Sequence, residues 1–273
     1  MSDIDILIGE GCMRKASQVL ADMGYALEQS IRHHDIYRKP PYMVVEAHRA
    51  IYDRTVDANQ YRYFSDFSRT VRREGCRYTY DFKPEDFYVY MLAHMAKHFY
   101  KMGCGIRNLV DIYVFRSRFD GITDRAYIDG ELEKCGLRAF AGHMERLTQI
   151  WLGDGEWTPF YEQLFQYMSD CGIYGRDENG IWNKFCEEGS ADGQVSRGRL
   201  RRWYWFPSLS YMAEYYPWLE RMPVLLPWAW FVRGVRGLVQ RKGRYKRQMI
   251  RSIEQDKISV YREIYQEMQL HFK

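Results

Sequence analysis

At 273 residues, with 46% hydrophobic residues, 28% charged and a net charge of +4, the chain is long enough to bury a sizeable core in one large domain or two modest ones. No run reaches the roughly 18 to 20 uninterrupted apolar residues of a membrane span; the nearest, residues 222–232, contains Pro223 and Pro227, and acids at 3, 5 and 10 make a secretory leader unexpected. Six scattered cysteines without a C-x-x-C pair fit reduced thiols in a cytoplasm, not a disulfide framework or zinc site.

The first stretch, Asp3-Ile4-Asp5-Ile6-Leu7-Ile8, reads as a strand. Alternation puts Asp3 and Asp5 on one face and the three isoleucines on the other, so a sheet would offer two carboxylates to one divalent cation. A turn at 9–11 leads to a predicted helix over 13–23, where Met13, Ala16, Val19, Leu20 and Met23 share a face. Two extended runs follow, 30–38 and 42–51, separated by Pro40-Pro41, which predicts a hairpin-like reversal. In the second run Val44, Glu46 and His48 fall on one face, and Glu46 would point at Asp3 and Asp5 if the two strands are neighbours.

Residues 59–73 read as helical and 78–82 as a strand. Pro84-Glu85-Asp86 opens a helix to about Met102, with proline and acids in the first turn. Along it His94 and His98 stand one turn apart, with Lys97 beside them, a spacing that suits a phosphate, a metal or ordinary helix packing. After Gly103-Cys104-Gly105 a helix over 106–119 places Arg107 and Asp111 as an intrahelical pair. Helices are predicted at 129–152 and 159–171, and a long loop at 171–193. Residues 197–251 hold 13 Lys or Arg against Glu214 and Glu220, a charge of +11, together with Trp203, Trp205, Trp218, Trp228 and Trp230. Such a stretch fits an anionic partner, a membrane surface or nucleic acid. Prolines at 217, 223 and 227 divide it into short helices, and a last helix spans about 245–270.

Asp3-x-Asp5 and Glu46 on separate strands form a three-carboxylate pattern that resembles the nucleotidyltransferase superfamily typified by DNA polymerase β. The order of motifs resembles more particularly an uncharacterised bacterial family within it: Asp3-Ile4-Asp5-Ile6-Leu7-Ile8, Gly24-Tyr25, Val45-Glu46-Ala47-His48, His94-Met95-Ala96-Lys97-His98 and Arg107-Asn108-Leu109-Val110-Asp111, then Phe206-Pro207-Ser208 and Leu225-Leu226-Pro227. The superfamily's Gly-Ser-type turn ahead of the paired acids has no counterpart in Met1-Ser2, so the expected core is N-terminally incomplete.

The resemblance implies an α+β fold: a small mixed sheet in a nucleotidyltransferase-like core over 1–83, then a helical domain over 84–273. It implies transfer of a nucleoside monophosphate from an NTP, ATP foremost, to an acceptor hydroxyl. Asp3, Asp5 and Glu46 would be the catalytic ligands of Mg²⁺ or Mn²⁺, Lys97, His94 and His98 triphosphate contacts, and Arg107 with Asp111 a supporting pair. Two rival expectations are an inactive binding module on the same sheet, and a protein acting through its basic segment.

Overall fold

The computed structural model describes residues 3–31, 33–52, 58–65, 68–173, 175–176, 179–180, 198, 202, 204–239 and 255–270. β1 (Ile4–Leu7) passes through a short 3-10 turn, Glu10–Cys12, into α1 (Met13–Asp22), and the chain reverses at Gly24, whose φ of 86° favours glycine. β2 (Ala26–Ser30), β3 (His34–Lys39) and β4 (Met43–His48) follow, and the four strands form one mixed sheet in the order β1-β4-β3-β2. Across the Pro40-Pro41 turn β3 and β4 are antiparallel, as the tandem prolines predict. β1 joins the far side of β4 in parallel, pairing Ile4 with Val45, Asp5 with Glu46, Ile6 with Ala47 and Leu7 with His48.

The expected extended run over 30–38 is interrupted by a reversal before His34, where β3 begins, and an additional strand precedes it. β2 ends at Ser30 and pairs antiparallel with β3, the reversal being closed by the Ile31 N–H donating to the His34 carbonyl at 3.0 Å. On one face of the sheet, Tyr37, Val45 and Ala47 are buried against Met13 and Leu20 of α1 and against Tyr25, with Ile6 and Ile8 packed on them. The two-residue period of the strands meets the three-and-four spacing of α1 there. Full burial of a large apolar side chain contributes about 1.5–3 kcal/mol, so this layer fixes which way the opposite face of the sheet looks. That face carries the candidate chemistry.

After α2 (Ala58–Tyr63) the structure corrects the helix expected over 59–73. Thr70 and Val71 lie instead in β5 (Thr70–Arg72), paired antiparallel with β6 (Tyr80–Phe82). β-branched side chains and an available partner strand outweigh a weak helical period. α3 (Pro84–Met102) begins and ends where its proline and Gly103 predict, and α4 (Arg107–Phe119) follows. The single helix expected over 129–152 is two, α5 (Arg125–Lys134) and α6 (Arg138–Leu152), divided at Gly136 with φ 66°. The Asp124 carboxylate caps α5 by accepting from the Tyr127 N–H, and the Thr158 hydroxyl does the same for Tyr161 at the start of α7 (Pro159–Asp170).

α8 (Leu209–Tyr215), two 3-10 turns at Pro217–Glu220 and Pro223–Leu225, and α9 (Leu226–Val239) carry out the proline-punctuated pattern. α10 (Gln255–Met268) is the described part of the expected last helix, whose predicted start at 245 lies outside the described residues. Most of the loop expected at 171–193 lies outside them too.

The described residues sort into two compact units. One gathers those of 1–67 and 205–235: the four-stranded sheet, and a small core of Met212, Ala213, Leu219 and Ala229. The other gathers those of 68–204 and 236–271, built around α3, where Phe99 packs against Phe140, Tyr167 and Tyr265. The sequence reading cuts the chain once, at residue 83; the units place β5 and β6 with the helices and residues 205–235 with the sheet. Among the described residues, no helix is long and apolar enough to cross a membrane.

Candidate active site

The parallel register of β1 and β4 decides what the open face presents. Asp5 and Glu46 are partners in that register, so their side chains leave neighbouring strands on the same side. His48 is two residues beyond Glu46 on the same face, and its Nε2 lies 2.9 Å from Asp5 Oδ1 and 3.6 Å from Glu46 Oε2. On the next strand, Ile36 is the partner of Glu46 and His34 of His48, and His34 Nε2 comes within 3.4 Å of Glu46 Oε2. Two carboxylates and two imidazoles therefore share one patch.

Exposure grades this patch from rim to floor. The Asp5 side chain is 64% exposed, Glu46 21%, His48 15% and His34 11%. Asp5 can meet an incoming ligand, whereas Glu46 is held by the imidazoles beside it. A hydrogen bond to a carboxylate requires the imidazole to donate, so His48 Nε2 carries the proton, and its other nitrogen, Nδ1, is buried with no hydrogen-bond partner. One ligand atom from each of Asp5, Glu46 and His48 falls within 4.8 Å of the others, a separation from which a single metal ion can gather all three. Asp3, half-buried just ahead of β1, belongs to neither of the metal-capable groups among the described residues.

Lys97, His94, His98, Arg107 and Asp111 belong to the helical unit. His94 and His98 meet as their spacing predicts, Nε2 to Nε2 at 3.1 Å with rings edge to face, and Tyr90 stacks on His94. Arg107 and Asp111 are both exposed, and no ion pair joins them. Long exposed side chains gain little from such a pair, and solvent competes for both.

Residues 1–153, more than half of the chain, match the family model described as uncharacterised nucleotidyltransferase. The chain belongs to this nucleotidyltransferase family. No curated protein and no solved structure matches it.

The nucleotidyltransferase match spans β1, β4, α3 and α4, and so covers every predicted site residue. It stops before the basic, Trp-rich segment. Sequence reasoning missed His33 and His34, and it noted His48 on the face of Glu46 without giving it a site role. The available signal was the His-His doublet in an extended run, but pairing His34 with His48 takes the β3–β4 register, which the turn at Pro40-Pro41 sets.

Proposed function

We propose that this member of the family is a divalent-metal-dependent nucleotidyltransferase that moves a nucleoside monophosphate from a nucleoside triphosphate, ATP foremost, to an acceptor hydroxyl. The observation that carries the reading is the side-by-side placement of Asp5 and Glu46 on parallel neighbours, with His48 beside both. The donor set fits the metal: the Asp5 and Glu46 carboxylates suit Mg²⁺ or Mn²⁺, and His48 orients the Asp5 carboxylate as its hydrogen-bond donor. Asp5 stands on the open rim with Glu46 deeper beside it, and Asp3, half-buried just ahead of the strand, would join them as a further ligand. When bound, the cation would neutralise the triphosphate and orient it for in-line displacement.

The chain's own residues supply the rest. His48 holds the Asp5 carboxylate in one orientation through its Nε2–H. Glu46, partly exposed at the patch, takes the proton of the acceptor hydroxyl as that oxygen attacks the α-phosphorus. The α–β phosphoanhydride bond breaks and pyrophosphate leaves. Titration of Mg²⁺ or Mn²⁺ with ATP by calorimetry, on the wild-type chain and on Asp5→Ala, tests the reading. Loss of binding heat in the variant is expected; equal heats overturn the metal role of the acids.

α9 favours a second reading for the basic segment. Trp228, Phe231 and Val235 lie on one helical face, 59%, 61% and 46% exposed, and the two rings stack at 5.5 Å. Exposed aromatics within a stretch of charge +11 suit an anionic membrane surface. Co-sedimentation with phosphatidylserine vesicles at low salt, weakened at high salt and by Trp228→Ala, is the expected outcome. Binding to oligonucleotides but not to vesicles would assign the segment to nucleic acid instead.

A further inference from the structure

The sheet face that carries the acids also carries three imidazoles. One ring nitrogen from each of His33, His34 and His48 lies within 4.8 Å of the other two. The ring centroids stand 4.5 Å apart for His33 and His34, 4.6 Å for His34 and His48, and 6.0 Å for His33 and His48.

The local backbone explains how adjacent histidines reach the same place. Inside a strand, a His-His doublet would point to opposite faces. β3 begins at His34, and His33 sits in the bend before it, where its carbonyl accepts from the Arg49 N–H at 2.9 Å. The doublet thus straddles the end of a strand. His48 is supplied by the neighbouring strand, directly opposite His34 in the antiparallel register.

Chemistry distinguishes this set from the acid pair. Three imidazole nitrogens are poor company for Mg²⁺, which takes oxygen and keeps water, but they suit a borderline transition-metal ion of the Zn²⁺ or Co²⁺ kind. Metal-bound imidazoles are commonly oriented by a carboxylate at the other ring nitrogen. Here Asp5 accepts from His48 Nε2, which leaves the buried lone pair of Nδ1 with no hydrogen-bond partner, and Glu46 lies at His34 Nε2. The His34 and His48 side chains are only 11% and 15% exposed, so two of the three donors are held by packing.

We propose that His33, His34 and His48 form a transition-metal site, distinct in ligand class from the Asp5–Glu46 site and joined to it through His48. The site does not depend on nucleotidyl transfer: it stands or falls on metal binding alone.

The experiment uses the full chain without a histidine tag. Zn²⁺ is titrated by calorimetry, and Co²⁺ is followed by the visible absorption of its nitrogen-ligated, low-coordinate form. The variants are His33→Gln, His34→Gln and Asp5→Ala, each checked for folding by circular dichroism. Wild type is expected to take up one Zn²⁺. Because losing an outer partner alone costs about 10–100-fold in affinity, each histidine variant is expected to lose about a hundredfold or more, together with the Co²⁺ band. Asp5→Ala, which removes only a partner of His48, is expected to keep the band with Zn²⁺ affinity within that 10–100-fold. His33 lies outside the strand, so His33→Gln decides the matter if His34→Gln fails to fold. No Zn²⁺ binding by wild type, unchanged binding in His33→Gln, or a band lost only in Asp5→Ala overturns the proposal. Mg²⁺–ATP heats on the same variants report the acid site separately, so the failure of one reading is not mistaken for that of the other.

Discussion

Glu145 on α6 shows what one buried charge asks of its surroundings. It is 7% exposed and accepts from Tyr88 Oη at 2.7 Å and from both Arg125 terminal nitrogens at 2.7 Å, with Arg116 at 3.6 Å. Burial beside this carboxylate pushes the Tyr88 hydroxyl well up, and its hydrogen bonds raise Arg125. Glu145→Gln leaves a guanidinium with half its partner. Removing one member of a buried pair costs about 3–5 kcal/mol, and because the Arg125 side chain is 39% exposed the expected loss is about 2–3 kcal/mol in urea unfolding. His143, on the same helix, is half-buried against Phe160 and Tyr161 of α7, and that burial lowers its pKa against the opposing pull of Glu267 on α10. Its folded value lies below the unfolded one of about 6.5, so as pH falls the unfolded chain binds the proton first. The contribution of His143 is complete above that unfolded value and is lost as pH drops toward the folded one. Wild type is therefore expected to lose stability relative to His143→Gln as pH falls below about 6.5; parallel curves would reject this. At this scale alternation along each strand shows Asp5 and Glu46 facing the same way, but their meeting, and the part of His48 beside them, depend on β1 and β4 being neighbours. The sequence hides His34, because membership in the patch depends on which residue faces which across two strands.

Elements were legible wherever a local device marks their ends. Pro84 with its acids opens α3 and Gly103 closes it; Pro40-Pro41 turns β3 into β4. Where a boundary depends on a partner, periodicity misleads: β5 exists because β6 is beside it, and the break between α5 and α6 rests on the left-handed backbone of Gly136. Two glycines separate these kinds of constraint. At Gly136 a Cβ meets nothing within 4 Å, so Gly136→Ala carries only the backbone penalty of φ 66°, about 1–2 kcal/mol. At Gly105, ahead of α4, a Cβ would overlap the carbonyl oxygen of Gly172 after α7, and backbone must move. Gly105→Ala is expected to lower the urea midpoint by more than Gly136→Ala does, and the reverse order would reject the close approach.

For the whole molecule, fold class was the most legible property: a sheet early and helices late follow from the change of hydrophobic period along the chain. How residues 205–235 group with the sheet was not legible, since no short-range pattern encodes a contact between stretches so far apart in sequence. The sheet's own order has a further consequence. Asp5 is carried by its outermost strand, for among the described residues β1 pairs with β4 alone. A rim strand is the part of a sheet that opens most readily to solvent. A cation gripped by Asp5 and Glu46 would staple that rim to its neighbour, so the β1 amides bonded to β4 should exchange deuterium about a hundredfold more slowly when metal is present at a hundred times its dissociation constant. Occupancy of the site and integrity of the rim then become one measurement.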